Sequence, residues 1–280
     1  MAESRDFPLT VIEHRSSSTS MDWGELWRFR EFIWMLAVRD IKVRYRQTVI
    51  GVSWVVLQPL MMMFILTALF SLIGAKPSRS LVPYPLIVLS GLVIWRLFSN
   101  ILTQSSESVV SNQHLVTKIY CPRLVFPLGG ALSSLVELGV CLGLLAVVML
   151  WYGVAPGWKI FWLPLFVTMG IVTGLSLGIL FAALGTLYRD LRHVVPFLLQ
   201  ILYYVSPVMY ETNAVVAPKW QGLYALNPLV GVIEGFRWSL LGTDAPRWSL
   251  MMVSMGAVAG LLWGAVSLFQ RMERRFADWI

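Results

Sequence analysis

Charge is what this chain has least of. Only 13% of its 280 residues are Asp, Glu, Lys or Arg and 57% are apolar, whereas soluble domains carry about 25% charged residues. The 22 basic and 15 acidic side chains are too few and too clustered to hydrate a soluble fold of this size, which excludes an ordinary soluble enzyme and a disordered tail. Cysteine is scarce as well. Cys121 and Cys141 are widely separated, and the second lies in an apolar run, so neither a disulfide framework nor a thiolate metal site is expected. No GxxxxGK[ST] loop occurs, so the chain does not hold nucleotide by that device. Beyond residue 50 the expected cytoplasmic loops contain only Glu107 and Asp190 as acids, too few for a transferase that needs clustered carboxylates for acid–base or metal work. The net charge of +7 owes much to residues 1–50, which hold eight of the 22 Lys and Arg residues. A basic patch of this kind facing anionic lipid is the simplest reading, and no nucleic-acid partner is expected. No catalytic residue and no metal site are expected.

What the chain does have is long uncharged stretches: 49–74, 80–95 (continuing past Arg96 to 105), 124–158 broken only by Glu137, 160–188, 194–210 and 248–270. A helix crossing hydrocarbon needs about 20 mostly apolar residues, because its backbone groups cannot be hydrated there. The expected fold is therefore an all-α integral membrane protein with six transmembrane helices, over about 50–74, 82–102, 125–150, 160–187, 193–210 and 248–270. Placing loops on alternating sides puts fifteen Lys and Arg on one face and six on the other. By the positive-inside rule both termini are cytoplasmic. Arg96 then falls near the cytoplasmic end of its span, where its stem can snorkel to the interface. Residues 1–31 carry charges throughout and lack a cleavage signature, so they read as a retained cytoplasmic segment, with 1–21 as a mobile tail. The 49–270 domain is followed by a basic tail, 271–280. The external segment 211–247 contains Asn227, Pro228, Glu234 and Arg237 inside an otherwise apolar stretch, and is expected to form re-entrant helices between the fifth and sixth spans.

Residues 22–48 predict an amphipathic helix lying at the membrane interface. Arg28, Glu31, Arg39, Lys42 and Arg46 share one stripe, with Leu26, Ile33, Ala37 and Ile41 opposite and Trp23, Trp27 and Trp34 flanking. Arg30, Asp40 and Arg44 intrude on the apolar side. Such a helix is either a plain membrane anchor or also a recruiter of lipid phosphate through guanidinium groups, which bind phosphate by paired hydrogen bonds.

Four stretches then agree, in order and spacing, with one family. They are 39–54 (RDIKVRYRQTVIGVSW) with Gln58-Pro59; Asn112 through Lys118 to Pro122-Arg123; Tyr188-Arg189-Asp190-Leu191 with Val195-Pro196; and Ser206-Pro207-Val208 with Leu226-Asn227-Pro228 and Phe236-Arg237. Over roughly 25–270 the chain resembles the type-2 ABC exporter permeases, and within them the subfamily that exports O-antigen, capsule and teichoic acid chains. The resemblance implies a transport subunit of the bacterial inner membrane that is not itself an enzyme. It would act as a homodimer with two copies of a cytoplasmic ABC ATPase that binds ATP and Mg. The implied cargo is a lipid-linked polysaccharide. Within the family, teichoic acid or drug and small-lipid export is the rival reading; a secondary transporter or channel would want paired intramembrane carboxylates or an internal repeat.

The resemblance places an ATPase-coupling helix in 103–123, with Asn112, His114, Leu115, Lys118 and Tyr120, and a second contact at Arg189 and Asp190. Arg39, Lys42, Arg44, Tyr45 and Arg46 are the candidates for lipid phosphate. Gln58, Glu137, Tyr203 and Tyr204 are the candidates for the translocation path. A mid-span carboxylate is functional by default in transport proteins, although Glu137 is equally open to a protonated or hydrogen-bonded structural role. Tyr203 and Tyr204 either line a conduit, where rings slide along the C–H face of a sugar, or pack between helices. Asn227, Pro228, Glu234, Phe236, Arg237 and Trp238 would form the external gate.

Overall fold

A computed structural model of the chain describes residues 23–46, 53–74, 78, 80–118, 121–188, 190–245 and 247–273. Every regular element among them is helical. Two helices, α1 (Trp23–Arg28) and α2 (Arg30–Arg46), precede α3 (Ser53–Ile73), α4 (Tyr84–Ser111), the short α5 (Gln113–Lys118) and α6 (Val125–Trp151). A 3₁₀ turn, Trp158–Trp162, leads into α7 (Leu163–Leu187), and α8 (Leu191–Val205) follows. Two one-turn helices, α9 (Thr212–Val215) and α10 (Gln221–Tyr224), precede α11 (Pro228–Leu241) and α12 (Trp248–Glu273).

Among the described residues, five helices are long and apolar enough to cross a membrane: α3, α4, α6, α7 with its leading turn, and α12. The fifth expected span is an apolar helix of 15 residues, about 22 Å long at 1.5 Å per residue. Hydrocarbon is about 30 Å thick, so α8 by itself falls short of it. Its end is encoded locally. Pro207 disfavours a helical conformation at the residue before it, and Ser206 is extended with its N–H closing the last turn on Leu202 O at 2.8 Å.

The central element is α4, which packs most heavily on α7 and α6. Its middle (Phe98, Ile101 and Leu102) is fully buried. Close approach to α7 depends on small residues there. A Cβ on Gly178 would stand 2.5 Å from Ser105 Cβ, and one on Gly174 would stand 3.0 Å from Ile101 Cβ. The matching stripe on α12, Gly256, Gly260 and Gly264, meets nothing within 4 Å.

The segment 103–111, expected at the start of a cytoplasmic loop, is instead the last part of α4. Its hydroxyls satisfy carbonyls one turn back: Ser106 Oγ donates to Thr103 O (2.8 Å), Ser108 Oγ to Ser105 O (2.7 Å) and Ser111 Oγ to Ser108 O (3.2 Å). Polar residues that read as a loop thus continue a helix by folding their donors inward.

The interface helix is broken at Phe29 rather than continuous, and residues 22, 47 and 48 of the expected range lie outside the described residues. Leu26, Ile33, Leu36 and Ala37 are buried, and α2 packs along α6, with Phe32 edge-on to Phe126. Trp27 and Trp34 on the other side are exposed. This helix shares an apolar cluster with Val125, Ile179 and Phe269 at the ends of α6, α7 and α12.

Candidate functional site

A polar knot sits inside the bundle. Glu137, midway along α6, is 7% exposed. Its Oε1 pairs closely with Arg44 Nη1 from α2, and its Oε2 accepts Asn100 Nδ2 from α4 at 2.5 Å with Arg96 Nη2 3.8 Å away. Arg96 Nη1 in turn donates to Gln58 Oε1 on α3 at 2.9 Å. This network therefore ties together four helices. An unpaired charge in such a site costs several kcal/mol, and Glu137 is paired and hydrogen-bonded on both oxygens. One step along α4, Gln104 Nε2 donates to Ser134 Oγ (3.1 Å) and Ser133 Oγ to Gln104 Oε1 (2.5 Å), a second polar rung between α4 and α6.

One expectation changes here. Arg44, which intrudes on the apolar stripe of α2, is directed at Glu137 and is not left free for lipid. Arg96 sits about 18 Å from the start of α4 by its rise, and its guanidinium turns to Gln58 and Glu137.

Beside the knot a groove of about 620 Å³ opens between α3, α4 and α8. Gln58, Arg96, Asn100, Gln200, Tyr203 and Tyr204 supply its polar and aromatic lining, and Trp54, Met61, Ile65 and Leu92 its apolar wall. Tyr203 is edge-on to both Trp95 and Tyr204, each at 5.4 Å between centroids, and Tyr204 is 62% exposed. Of the residues expected along a path, Gln58, Tyr203 and Tyr204 thus meet in one groove. Glu137 stands behind it, bonded to Arg96 and Asn100. Sequence reasoning left Asn100 and Gln200 unassigned; each carries an amide inside an apolar span, which is the signal that was available.

On α2, a second groove of about 590 Å³ is lined by Arg39, Lys42 and Arg46 together with Met35, Val38 and Val43. Arg39 Nη2 bonds Asp40 Oδ1 at 2.8 Å, while Lys42 and Arg46 are exposed. Tyr45 lies in α2, and its side chain is outside the described residues.

At the other end of the bundle, α11 begins with a local signal. Asn227 Oδ1 accepts Leu229 N–H at 3.1 Å, and Pro228 occupies the first helical position. Asn227 Nδ2 also donates to Ser206 Oγ at 3.0 Å. The helix closes on Gly242 at φ +69°, a left-handed cap. Phe236 and Arg237 are buried in the protomer, and Arg237 borders a small pocket shared with Glu211, Thr212 and Glu234. Arg237 Nη1 donates to Tyr210 O (2.8 Å), Nη2 to Ile87 O (2.9 Å) and Val208 O (2.6 Å), and Nε to Ile87 O (3.1 Å). This staple fixes α11 and the 206–210 turn against α4. It fits only because residue 91 is glycine: a Cβ there would stand 2.2 Å from Val208 O. Burial pulls Arg237 down to about 10, with the Glu234 and Glu211 carboxylates opposing, so it stays charged at neutral pH. Burial pushes Glu234 up, offset by Thr212, whose N–H donates to Glu234 Oε1 at 3.1 Å, and by Arg237. Trp238 packs against Trp248 at 5.8 Å, with Lys159 Nζ 5.1 Å over its ring.

At the opposite end, Asn112 caps α4 and turns the chain into α5. Its side-chain Nδ2 donates to Ser108 O at 2.7 Å, and its carbonyl accepts Leu115 N–H at 2.8 Å. His114 and Lys118 are exposed and Leu115 half-buried, above the buried Val116. Asp190 is exposed and its carbonyl accepts His193 N–H at the start of α8. Tyr120 and Arg189 lie outside the described residues.

Cross-length apolar helices around a polar, aromatic groove, with a short exposed helix at one end, define a polytopic membrane protein. Residues 31–241 match the family described as ABC-2 type transporter, and the chain belongs to that family. It is 28% identical over 256 residues to the O-antigen export system permease protein RfbA of Myxococcus xanthus, covering 91% of this chain and 97% of that protein. It is 25% identical to an RfbA of Klebsiella pneumoniae over 86% of this chain and 91% of that one. To the polysialic acid transport protein KpsM of Escherichia coli it is 26% identical, over 85% and 92%.

Proposed function

We propose that this chain is the transmembrane subunit of an ATP-driven exporter of lipid-linked polysaccharide in a bacterial inner membrane. Two copies form the conduit and bind two copies of a cytoplasmic ABC ATPase, which holds the ATP and Mg. Each copy crosses six times with both termini cytoplasmic; α8 and the 206–210 turn make the fifth crossing, and α9 to α11 form the re-entrant external segment. The observation that carries this reading is the near full-length similarity to permeases named for O-antigen and polysialic acid. The groove in which amides and tyrosines meet supports it.

The geometry suggests a sequence of events. The cationic face of α2, with Arg39, Lys42 and Arg46, draws the lipid phosphate to the cytoplasmic leaflet. The saccharide passes along Tyr203 and Tyr204, whose rings pack on sugar C–H faces without a tight site for any one sugar. ATPase closure pushes α5. Because α5 is bonded directly to the end of α4 through Asn112, the push is delivered to the helix that holds Arg96 and Asn100.

The reading is tested in a strain lacking the gene. Surface polysaccharide is expected to vanish while cytoplasmic lipid-linked chains accumulate, and the wild-type gene is expected to restore export. Continued export in the deletion strain overturns it. In the same strain, Lys118→Ala combined with Tyr120→Ala is expected to leave ATP hydrolysis by the co-purified partner within about twofold while export falls at least tenfold. Unchanged export removes α5 from the coupling role.

A further inference from the structure

The knot holds more positive charge than its one carboxylate neutralises, and the surplus borders the groove. Among the described residues, α3 and α7 carry no charged side chain, α6 carries Glu137 alone, and α4 as far as Thr103 carries Arg96 alone. Arg44 comes in from α2. Two guanidinium groups thus share one carboxylate, leaving about one net positive charge. Arg44 holds the closer place on Glu137. Arg96 stands 3.8 Å from the other oxygen and leans on the neutral amide of Gln58; its Nε has no hydrogen-bond partner, and the weak acceptor beside the guanidinium is the Cys141 thiol. On α8, Tyr203 and Gln200 line the same groove, and the Tyr203 hydroxyl is buried and unpartnered. Donors outnumber strong acceptors here.

A buried donor without an acceptor costs free energy, and a surplus charge in a low-dielectric groove costs more. The complement is an anion with several acceptor oxygens. A guanidinium offers phosphate two parallel N–H groups, and Tyr203 and Gln200 can donate from α8. The apolar wall of Trp54, Met61, Ile65 and Leu92 suits a hydrocarbon tail attached to that anion.

We infer that Arg96 is an anion station within the groove. With Tyr203 and Gln200 it takes the phosphate group of the lipid-borne cargo after that group leaves the cationic face of α2. This rests on the polysaccharide-exporter reading for the identity of the cargo, while the anion site itself stands on the charge count and the unpartnered donors.

The test uses the full chain in phosphatidylcholine nanodiscs, probed by native mass spectrometry with polyprenyl pyrophosphate, uncharged polyprenol and phosphatidylglycerol. Wild type is expected to retain polyprenyl pyrophosphate about tenfold or more over polyprenol. Arg96→Gln is expected to bring that ratio to within about twofold, and Arg96→Lys to hold an intermediate value because it keeps the charge and loses the fork. Tyr203→Phe removes one unpartnered hydroxyl and leaves the packing ring, so it keeps the readout valid if Arg96→Gln does not fold; it is expected to lower the ratio about three- to fivefold. A ratio unchanged in Arg96→Gln and Tyr203→Phe, or equal losses for polyprenol, overturns the proposal. Equal competition by phosphatidylglycerol makes this a general headgroup site and overturns the cargo assignment. If the nanodisc preference is present but the deletion strain still exports, the functional reading fails and the anion site stands.

Discussion

Arg237 shows what one side chain can hold together. Its guanidinium satisfies the carbonyls of Ile87, Val208 and Tyr210 from two stretches of chain. Arg237→Ala removes the donors and strands those acceptors in a dry interior. The expected cost is about 3 kcal/mol or more, read as a large fall in melting temperature of the detergent-solubilised protein. Arg237→Lys is expected to recover little of it, because an ammonium cannot reproduce the fork. None of this was legible in the sequence. Arg237 stood out only as a charge in an apolar stretch near Asn227-Pro228 and read as part of an external gate, since nothing local reveals that its partners lie at residue 87 and at 208–210. Arg44 was misplaced for the same reason. Helical periodicity marks it as an intruder on an apolar face, but only the tertiary fold brings it to Glu137, 93 residues away.

Among the helices, those the sequence made plain are the ones with a simple cause. Runs of more than 20 residues with at most one charge become α3, α6, α7 and α12, whereas the expected 193–210 span stops at Val205, because Pro207 disfavours a helical Ser206. The last third of α4 was missed because Ser, Thr, Asn and Gln from 103 to 112 have the composition of a loop, and their inward hydrogen bonds cannot be counted from composition. Gly174 and Gly178 of α7 pack against α4. Gly178→Val puts a branched side chain where a single Cβ already stands 2.5 Å from Ser105 Cβ. Overpacking of this kind costs about 1–3 kcal/mol. The same change at Gly260, which faces open space in the protomer, is expected to leave the melting temperature of the isolated chain nearly unchanged. Melting curves of the two variants side by side check this.

Across the whole molecule, the candidate site spans the bundle along α4. One end of α4 is held by the Arg237 staple, its middle carries Arg96 and Asn100, and its far end runs through Asn112 into α5. At 28 residues the helix is about 42 Å long, longer than the hydrocarbon core. A conduit wide enough for a sugar chain is also wide enough for water, and water chains conduct protons. The unneutralised guanidinium halfway along α4 sets a positive potential at that depth, and fixed positive charge of this kind is how pores turn away protons and metal cations. Vesicles carrying Arg96→Gln are therefore expected to dissipate an imposed pH gradient several-fold faster than wild type, as followed by an entrapped dye; equal rates would assign ion-tightness to another part of the molecule. An exporter built this way can leave its doorway ajar to cargo without draining the gradient that the cell lives on.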